Sequence, residues 1–300
     1  MKTIAICNHK GGVGKTALSM AIAEGLHRKG KRTLLVDLDQ QMNATQQTKI
    51  DTTDEVTVYD LLTSFDYTAK DGIKHFDGGD IIPGDVLVSN AESDMAKLDT
   101  RLTMLADAME GIDDDYDYAI IDCPPSLGLV TRNAMVAADE LIVPVIPNRS
   151  SLKGFTNIQK CVNSVRRNKR LNPNLRIAGI VVNMFDGRTS LSRGVVNELP
   201  SIARAANTTY GADNLELLHV TKHEIDLTVQ RGGVIFQDVL KDWSIEPDAT
   251  IHVWRFPESE SDVMTSEFSL FMLGLLAKIK AGTIWKSSLF ILSCLSDHQV

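Results

Sequence analysis

Apolar residues along this chain of 300 residues gather into short runs, separated by stretches in which they recur every three or four positions. The runs Thr3–Cys7, Arg32–Val36, Tyr118–Ile121, Leu141–Val145 and Ile177–Val182, with a weaker one at Leu215–Val220, are rich in β-branched residues and apolar at nearly every position. A strand with one wet face alternates; a nearly continuous apolar strand is covered on both faces, as in a parallel sheet between helices. Helical stretches lie between several of these runs and complete a βαβ rhythm. In the first, Leu18, Ala21, Ile22, Gly25 and Leu26 share one face, and Gly30 stands where a helix stops. Phe155, Ile158, Val162 and Val165 form a second stripe, and Phe268, Phe271, Met272, Leu275, Leu276 and Ile279 a third. The pattern predicts an α/β fold, a three-layer, doubly wound parallel sheet with helices on both faces.

Between Ile50 and Gly111 the pattern loosens into short mixed elements, with an apolar stripe at Leu98, Leu102, Leu105 and Met109 ahead of the acidic turn Asp113–Asp117. No linker rich in Pro, Gly or Ser, no low-complexity tract and no repeat divides the chain. One domain over residues 1–281 is expected, followed by a tail at 282–300. A chain 43% hydrophobic and 23% charged is neither disordered nor fibrous. Cys7, Cys123, Cys161 and Cys294 are scattered without ligand spacing, which removes zinc, iron–sulfur and disulfide frameworks. No apolar run approaches the roughly 20 residues that span a bilayer, and Met1–Ala5 has a strand pattern instead of a signal-peptide layout. A cytoplasmic protein is expected.

Candidate chemistry begins where the first strand ends. Thr3–Cys7 leads into Asn8-His9-Lys10-Gly11-Gly12-Val13-Gly14-Lys15-Thr16 and then a helix, which is the context of a phosphate-binding P-loop. Glycines let the backbone curl so that successive N–H groups face phosphate oxygens, and the helix N-terminus adds positive potential. Lys15 is placed to reach the β and γ phosphates and Thr16 to ligate Mg²⁺. The common G-x-x-x-x-G-K-[ST] form is not matched, because its first glycine falls at His9; an additional lysine, Lys10, precedes the glycines instead. Two further strands end in carboxylates, Asp37-Leu38-Asp39 and Asp122-Cys123-Pro124-Pro125. In a parallel sheet these ends share the edge that binds ligands. Asp122 suits a carboxylate holding Mg²⁺ through water, and Asp37 or Asp39 suits one that orients an attacking water.

Together, Lys10–Thr16, Asp37-Leu38-Asp39-x-Gln41-x-Asn43-Ala44-Thr45 and Tyr118–Ser126 resemble the ParA/MinD family of deviant Walker ATPases, in its ParA partition branch. The likeness continues through Asn133–Asp139, Pro144, Lys153-Gly154, Ile177–Asn183 and Asp186–Ser192. It implies a P-loop NTPase sheet that binds ATP with Mg²⁺ and forms a homodimer while ATP is held. Nucleotide contacts would come from Lys10, Gly11, Gly12, Val13, Gly14, Lys15, Thr16 and Ala17, with Asn183 near the base. Lys10 would reach phosphates bound by the opposite subunit, Gly11 would allow the subunits to approach, Asp39 would position water, and Thr16, Asp39 and Asp122 would hold the metal. The family's ATP dimer coats double-stranded DNA without sequence preference, and a ParB-like centromere-binding partner stimulates hydrolysis and release. The resemblance thus implies a nucleoid-associated protein whose sequence-specific DNA recognition belongs to the partner.

That implication changes the meaning of the charge. The net charge of −8 argues against a nucleic-acid partner, yet residues 146–241 carry 14 Lys and Arg against 7 Asp and Glu, a net +7. Arg166, Arg167, Lys169 and Arg170 end one expected helix, and Arg188, Arg193, Arg204, Lys222 and Arg231 extend the candidate DNA face. The alternative for the first cluster is a basic helix terminus complementing the macrodipole. Gln40 stands where the family usually has Pro, and His219–Lys222 lacks the usual Pro near the base. Two other functions remain open. The apolar stretch Ile284–Leu295 motivates a MinD-like membrane-positioning ATPase, disfavoured because it lacks a divided basic and apolar face. The other is a nucleotide-gated adaptor that dimerises and barely hydrolyses ATP.

Overall fold

The computed structural model describes residues 1–183, Ser190, Gly194 and two strands, Glu216–Thr221 and Thr250–Arg255. The chain divides into two compact units, Met1–Pro144 with Gly154–Ala178, and Val145–Lys153 with Gly179–Val300. In the first, the strands are β1 (Lys2–Ile6), β2 (Thr33–Asp37), β3 (Lys74–Phe76), β4 (Gly79–Ile82), β5 (Tyr118–Asp122) and all but the last residue of β6 (Glu140–Val145), in the spatial order β3-β4-β2-β5-β1-β6. All neighbours are parallel except the hairpin β3–β4. Every residue of β2 and β5 is buried, as continuous apolar runs require of strands covered on both faces. The register sets Ile6 opposite Asp122 and Asp37 opposite Asp122, so the carboxyl ends of the three central strands finish level.

Helix α1 (Lys15–Arg28) packs on β1, β2, β4 and β5 and carries His27 and Arg28 in its last turn, where positive charge suits the helix dipole. It ends as its pattern predicts. Gly30 takes a left-handed φ of 77° and its N–H reaches the His27 carbonyl at 2.8 Å. α2 (Asn43–Thr48) follows β2, and α3 (Val58–Thr63), α4 (Ala69–Gly72), α5 (Val88–Met95) and α6 (Met104–Ala108) fill the loosely patterned region. The Asp60 carboxylate accepts from the Thr57 N–H and that of Asp71 from the Thr68 N–H, starting α3 and α4 with reciprocal caps. α7 (Leu129–Ala137) packs on β1 and α6, and α8 (Arg149–Arg167) buries Phe155, Ile158, Val162 and Val165.

In the second unit, β8 (Glu216–Thr221) and β9 (Thr250–Arg255) are antiparallel, and β9 pairs antiparallel with β7 (Arg176–Val182) through Gly179–Val181. The doubly wound, mainly parallel sheet expected from the sequence is therefore present with antiparallel additions. β3, β4 and β9 carry no expectation from the pattern: the first two are too short to show a period, and β9 is paired by distant partners. The stripe from Leu98 to Met109 is not one helix, because α6 has five residues and Leu98 and Leu102 lie on the turns before it. The stripe at 268–279 and the tail at 282–300 lie outside the described residues. Among the described residues, no helix is long and apolar enough to cross a membrane.

Candidate functional site

The loop after β1 is built from its own polar residues. The Asn8 side chain is buried, donating through Nδ2 to the Pro144 carbonyl at 2.6 Å and accepting the Lys10 N–H on Oδ1 at 3.0 Å. That pair ties the start of the loop to β6 and turns the chain away from the sheet. Gly12 and Gly14 then take φ values of 71° and 91°, a region costly to any residue with a Cβ. Gly14 occupies the N-cap of α1 and offers no side chain to its first N–H groups, which leaves the helix N-terminus to an anion. The Lys15 ammonium lies under the loop, donating to the Lys10 carbonyl at 3.2 Å, and its side chain is largely buried. A largely buried ammonium beneath a glycine loop at a helix N-terminus is chemistry for phosphate.

Three carboxylates end the adjacent strands. Asp37 and Asp122 are both fully buried, and Asp39 is nearly so. Asp37 is held tightly: Oδ2 accepts from the Thr45 N–H at 2.9 Å and the Thr45 hydroxyl at 2.7 Å, and Oδ1 from the Asp39 N–H at 3.2 Å. Asp39 accepts the Gln41 N–H on Oδ1 at 3.0 Å. Asp122 differs. The Ser19 hydroxyl lies 3.0 Å from its Oδ1 and 3.1 Å from the Lys15 carbonyl, while Oδ2 is buried with no partner.

Burial pushes the Asp122 carboxyl up to about 7, and the neighbouring Asp37 pushes the same way; hydrogen bonds from Thr16 and Ser19 and the charge of Lys15 oppose them. Asp37 is also raised, by burial, against the hydrogen bonds from Thr45 and Asp39. An orphaned carboxylate oxygen beside a hydroxyl, in a site already crowded with negative charge, fits a divalent cation. Among the described residues no three His, Cys, Asp or Glu side chains gather as a self-sufficient metal site. A cation here would complete its shell with phosphate oxygens and water, as Mg²⁺ does. Behind the loop, the thiols of Cys7 and Cys123 are buried with their sulfurs 3.0 Å apart, and burial holds Cys123 protonated.

Lys10, Gly11, Gly12, Val13, Gly14, Lys15, Thr16, Ala17, Asp37, Asp39 and Asp122 all belong to the first unit, on the loop after β1, the start of α1 and the ends of β2 and β5. Asn183 belongs to the second, where its N–H bonds the Val145 carbonyl at 2.6 Å and its side chain is buried. Arg166 and Arg167 close α8, and Lys169 and Arg170 are exposed on the turn after it. Arg188, Arg193, Arg204, Lys222, Arg231 and the Pro-lacking turn lie at least partly outside the described residues, and those five side chains wholly so. Ser19, Thr45 and Gly84 received no role from sequence reasoning. Ser19 had a signal, lying four residues after Lys15 on the same helical face; Gly84 had none, because it reaches the site from β4 through space.

A family model described as an AAA domain matches residues 1–177. The sporulation initiation inhibitor protein Soj of Bacillus subtilis is 37% identical over 249 residues, covering 80% of this chain and 97% of Soj. The chromosome partitioning protein ParA of Caulobacter vibrioides is 37% identical over 203 residues, 66% of this chain and 75% of ParA. Among solved structures, cobyrinic acid a,c-diamide synthase from Mycobacterium smegmatis with bound ADP and magnesium superposes with a TM-score of 0.62 at 32% identity, covering 67% of this chain and 82% of that one. With the lysine-flanked glycine loop, the strand-end carboxylates, a family model over residues 1–177 and relatives 37% identical over three quarters or more of their length, the chain belongs to the ParA/MinD family of deviant Walker ATPases, in its Soj/ParA partition branch.

Proposed function

We propose that this protein is an ATP-driven switch for partitioning DNA: two copies pair while each holds ATP and Mg²⁺, the pair binds double-stranded DNA without sequence preference, and a ParB-like partner stimulates the hydrolysis that releases it. The observation that carries the reading is Lys10, a second lysine immediately ahead of a loop whose own lysine is already buried beneath it. One cation suffices to hold a loop's own phosphates. A second is explained by phosphates held in another copy, which would couple pairing to the presence of nucleotide and stabilise charge developing in transfer. Gly11 and Gly12 support this, since both are exposed and a Cβ on either would meet nothing within 4 Å, leaving the backbone open to close approach. The name of the Caulobacter relative, a chromosome partitioning protein, supports the partition role, and the ADP and magnesium of the Mycobacterium structure support the cofactors.

Within the site, the N–H groups of Gly12 to Ala17 and the Lys15 ammonium would bind the phosphates. Thr16 would hold Mg²⁺ directly and Asp122 through water, with Asp39 also at the metal; the ion would supply charge that draws electrons from the transferred phosphoryl group. Asp39 would orient the attacking water, its carboxylate held by the Gln41 N–H. Asn183 would sit near the base. Arg166, Arg167, Lys169 and Arg170 would contact DNA phosphates, joined by Arg188, Arg193, Arg204, Lys222 and Arg231.

The test measures binding to non-specific duplex DNA at ~100 mM salt, with ATP, ADP or no nucleotide. A Lys10→Ala variant and anionic liposomes accompany it. Salt-sensitive DNA binding with ATP alone, lost in the variant, is the expected result. Liposome binding without DNA binding would replace the reading with a membrane-positioning ATPase. Pairing without turnover, even with DNA and partner present, would replace it with an adaptor.

A further inference from the structure

Asp39 leaves β2 on a loop in which the Met42 N–H turns back to the Asp39 carbonyl at 2.8 Å. Met42, three residues on, takes a left-handed φ of 53°, an unfavourable conformation for a side chain with a Cβ, before α2 begins. What closes the loop is a clamp between its two ends. Thr45 donates both its N–H and its hydroxyl to Oδ2 of Asp37, at 2.9 and 2.7 Å, and the same hydroxyl accepts the Gly84 N–H at 2.8 Å. Asp37 in turn receives the Asp39 N–H on Oδ1, and Asp39 receives the Gln41 N–H. Gly84 completes the clamp by shape. A Cβ there would come within 3.1 Å of the Asp37 carboxyl carbon and 3.2 Å of Oδ2.

We infer that Thr45 is a positioning residue for hydrolysis: by anchoring Asp37 it closes the loop of residues 38–44 and fixes where Asp39 holds its water. This rests on the reading of Asp39 given above. Thr45 itself lies in the core, spends its N–H and its hydroxyl proton on Asp37 and accepts Gly84 on the same hydroxyl, and needs no contact with nucleotide to act. The clamp also separates the three carboxylates by task. Oδ1 and Oδ2 of Asp37 are both engaged within the loop, while Asp122 keeps Oδ2 unpartnered. Asp37 thus serves as the anchor of the loop, and Asp39 remains to face the reacting phosphate.

The experiment uses the full chain with ATP and Mg²⁺ and compares Thr45→Ala, Thr45→Ser, Gly84→Ala and Asp39→Ala. Turnover, KM for ATP and binding of a fluorescent non-hydrolysable ATP analogue are measured, with amide exchange over residues 38–45 of the nucleotide-free protein. Thr45→Ala should lower kcat on the order of 10- to 100-fold with KM and analogue affinity unchanged, since misplacing a catalytic group costs rate more than binding. Exchange at the Asp39 and Gln41 amides should quicken in the same variant. Thr45→Ser, which keeps the hydroxyl, should restore both readouts. Gly84→Ala, which leaves Thr45 in place and presses on Asp37, should lower kcat in the same way and carries the test if Thr45→Ala does not fold. Wild-type kcat in both Thr45→Ala and Gly84→Ala, or a loss confined to analogue affinity, overturns the inference while loss of turnover in Asp39→Ala leaves the reading of Asp39 standing. Undiminished turnover in Asp39→Ala overturns that reading and the clamp's purpose with it.

Discussion

A carboxylate with one oxygen unpartnered in the core is an expensive residue to keep, and Asp122 illustrates the conflict between stability and chemistry at one position. Its folded-state carboxyl titrates at about 7, above its ordinary value of 3.8, chiefly because burial disfavours the charge. Below the ordinary value both folded and unfolded chains hold the proton, and the group costs nothing. As pH rises from there to about 7, the unfolded chain releases its proton while the folded one keeps it, so the nucleotide-free protein loses stability across that window. Above it the full penalty applies. Asp122→Asn removes the charge and keeps the shape. Thermal melts without nucleotide should therefore show the variant several degrees more stable than wild type at pH ~8 and close to it at pH ~3. An equal difference at both values would show that burial of the charge is not what Asp122 costs.

At the scale of elements, the region between β2 and β5 is held by polar clasps more than by long amphipathic faces. Asn133 on α7 is fully buried; its Oδ1 accepts the Leu105 N–H at 3.2 Å, and its Nδ2 lies 2.8 Å from the Arg101 carbonyl and 3.0 Å from that of Leu129. One amide thus starts α6, holds the turn before it and returns to its own helix. Asn133→Ala would leave the buried Leu105 N–H and the partly buried Arg101 carbonyl without that partner. The expected loss is about 2 to 4 kcal/mol of unfolding free energy, read by urea denaturation. A loss below about 0.5 kcal/mol would mean that α6 is held by its apolar contacts alone. Such clasps explain why this region was hard to read in advance. An amphipathic helix announces itself over three or four turns, but a five-residue helix fastened by an asparagine on another element leaves only a residue type out of place.

For the whole molecule, charge is the property that the sum conceals. A chain of net −8 repels a phosphate backbone on average, while the stretch 146–241 at net +7 attracts it locally. Lys169 and Arg170 are exposed after the end of α8, where both the macrodipole and a DNA phosphate favour a cation. The two uses separate in experiment. If these residues contact DNA, the Lys169→Ala and Arg170→Ala double variant should flatten the slope of log affinity against log salt by about 2, one per cation. Its melting temperature should stay within a degree or so of wild type, since exposed charges contribute little. A changed melting temperature with an unchanged salt slope would assign them to the helix terminus instead.

Much of this protein was determined locally. The five strong apolar runs, the glycine stop at Gly30 and the stripe on α8 stand where the pattern places them, because a strand buried on both faces and a helix buried on one each leave a periodic record in consecutive residues. The phosphate loop is equally local, since glycine, lysine and a helix start must adjoin to make it. Other features belong to the tertiary structure alone. Which oxygen of Asp122 lacks a partner, how Asn133 ties three segments together, and how Gly84 and Thr45 meet over Asp37 depend on residues brought together across the sheet. No periodicity marks such meetings. They arise from strand order and register, which are set by the packing of the whole unit and are absent from any single stretch of the chain.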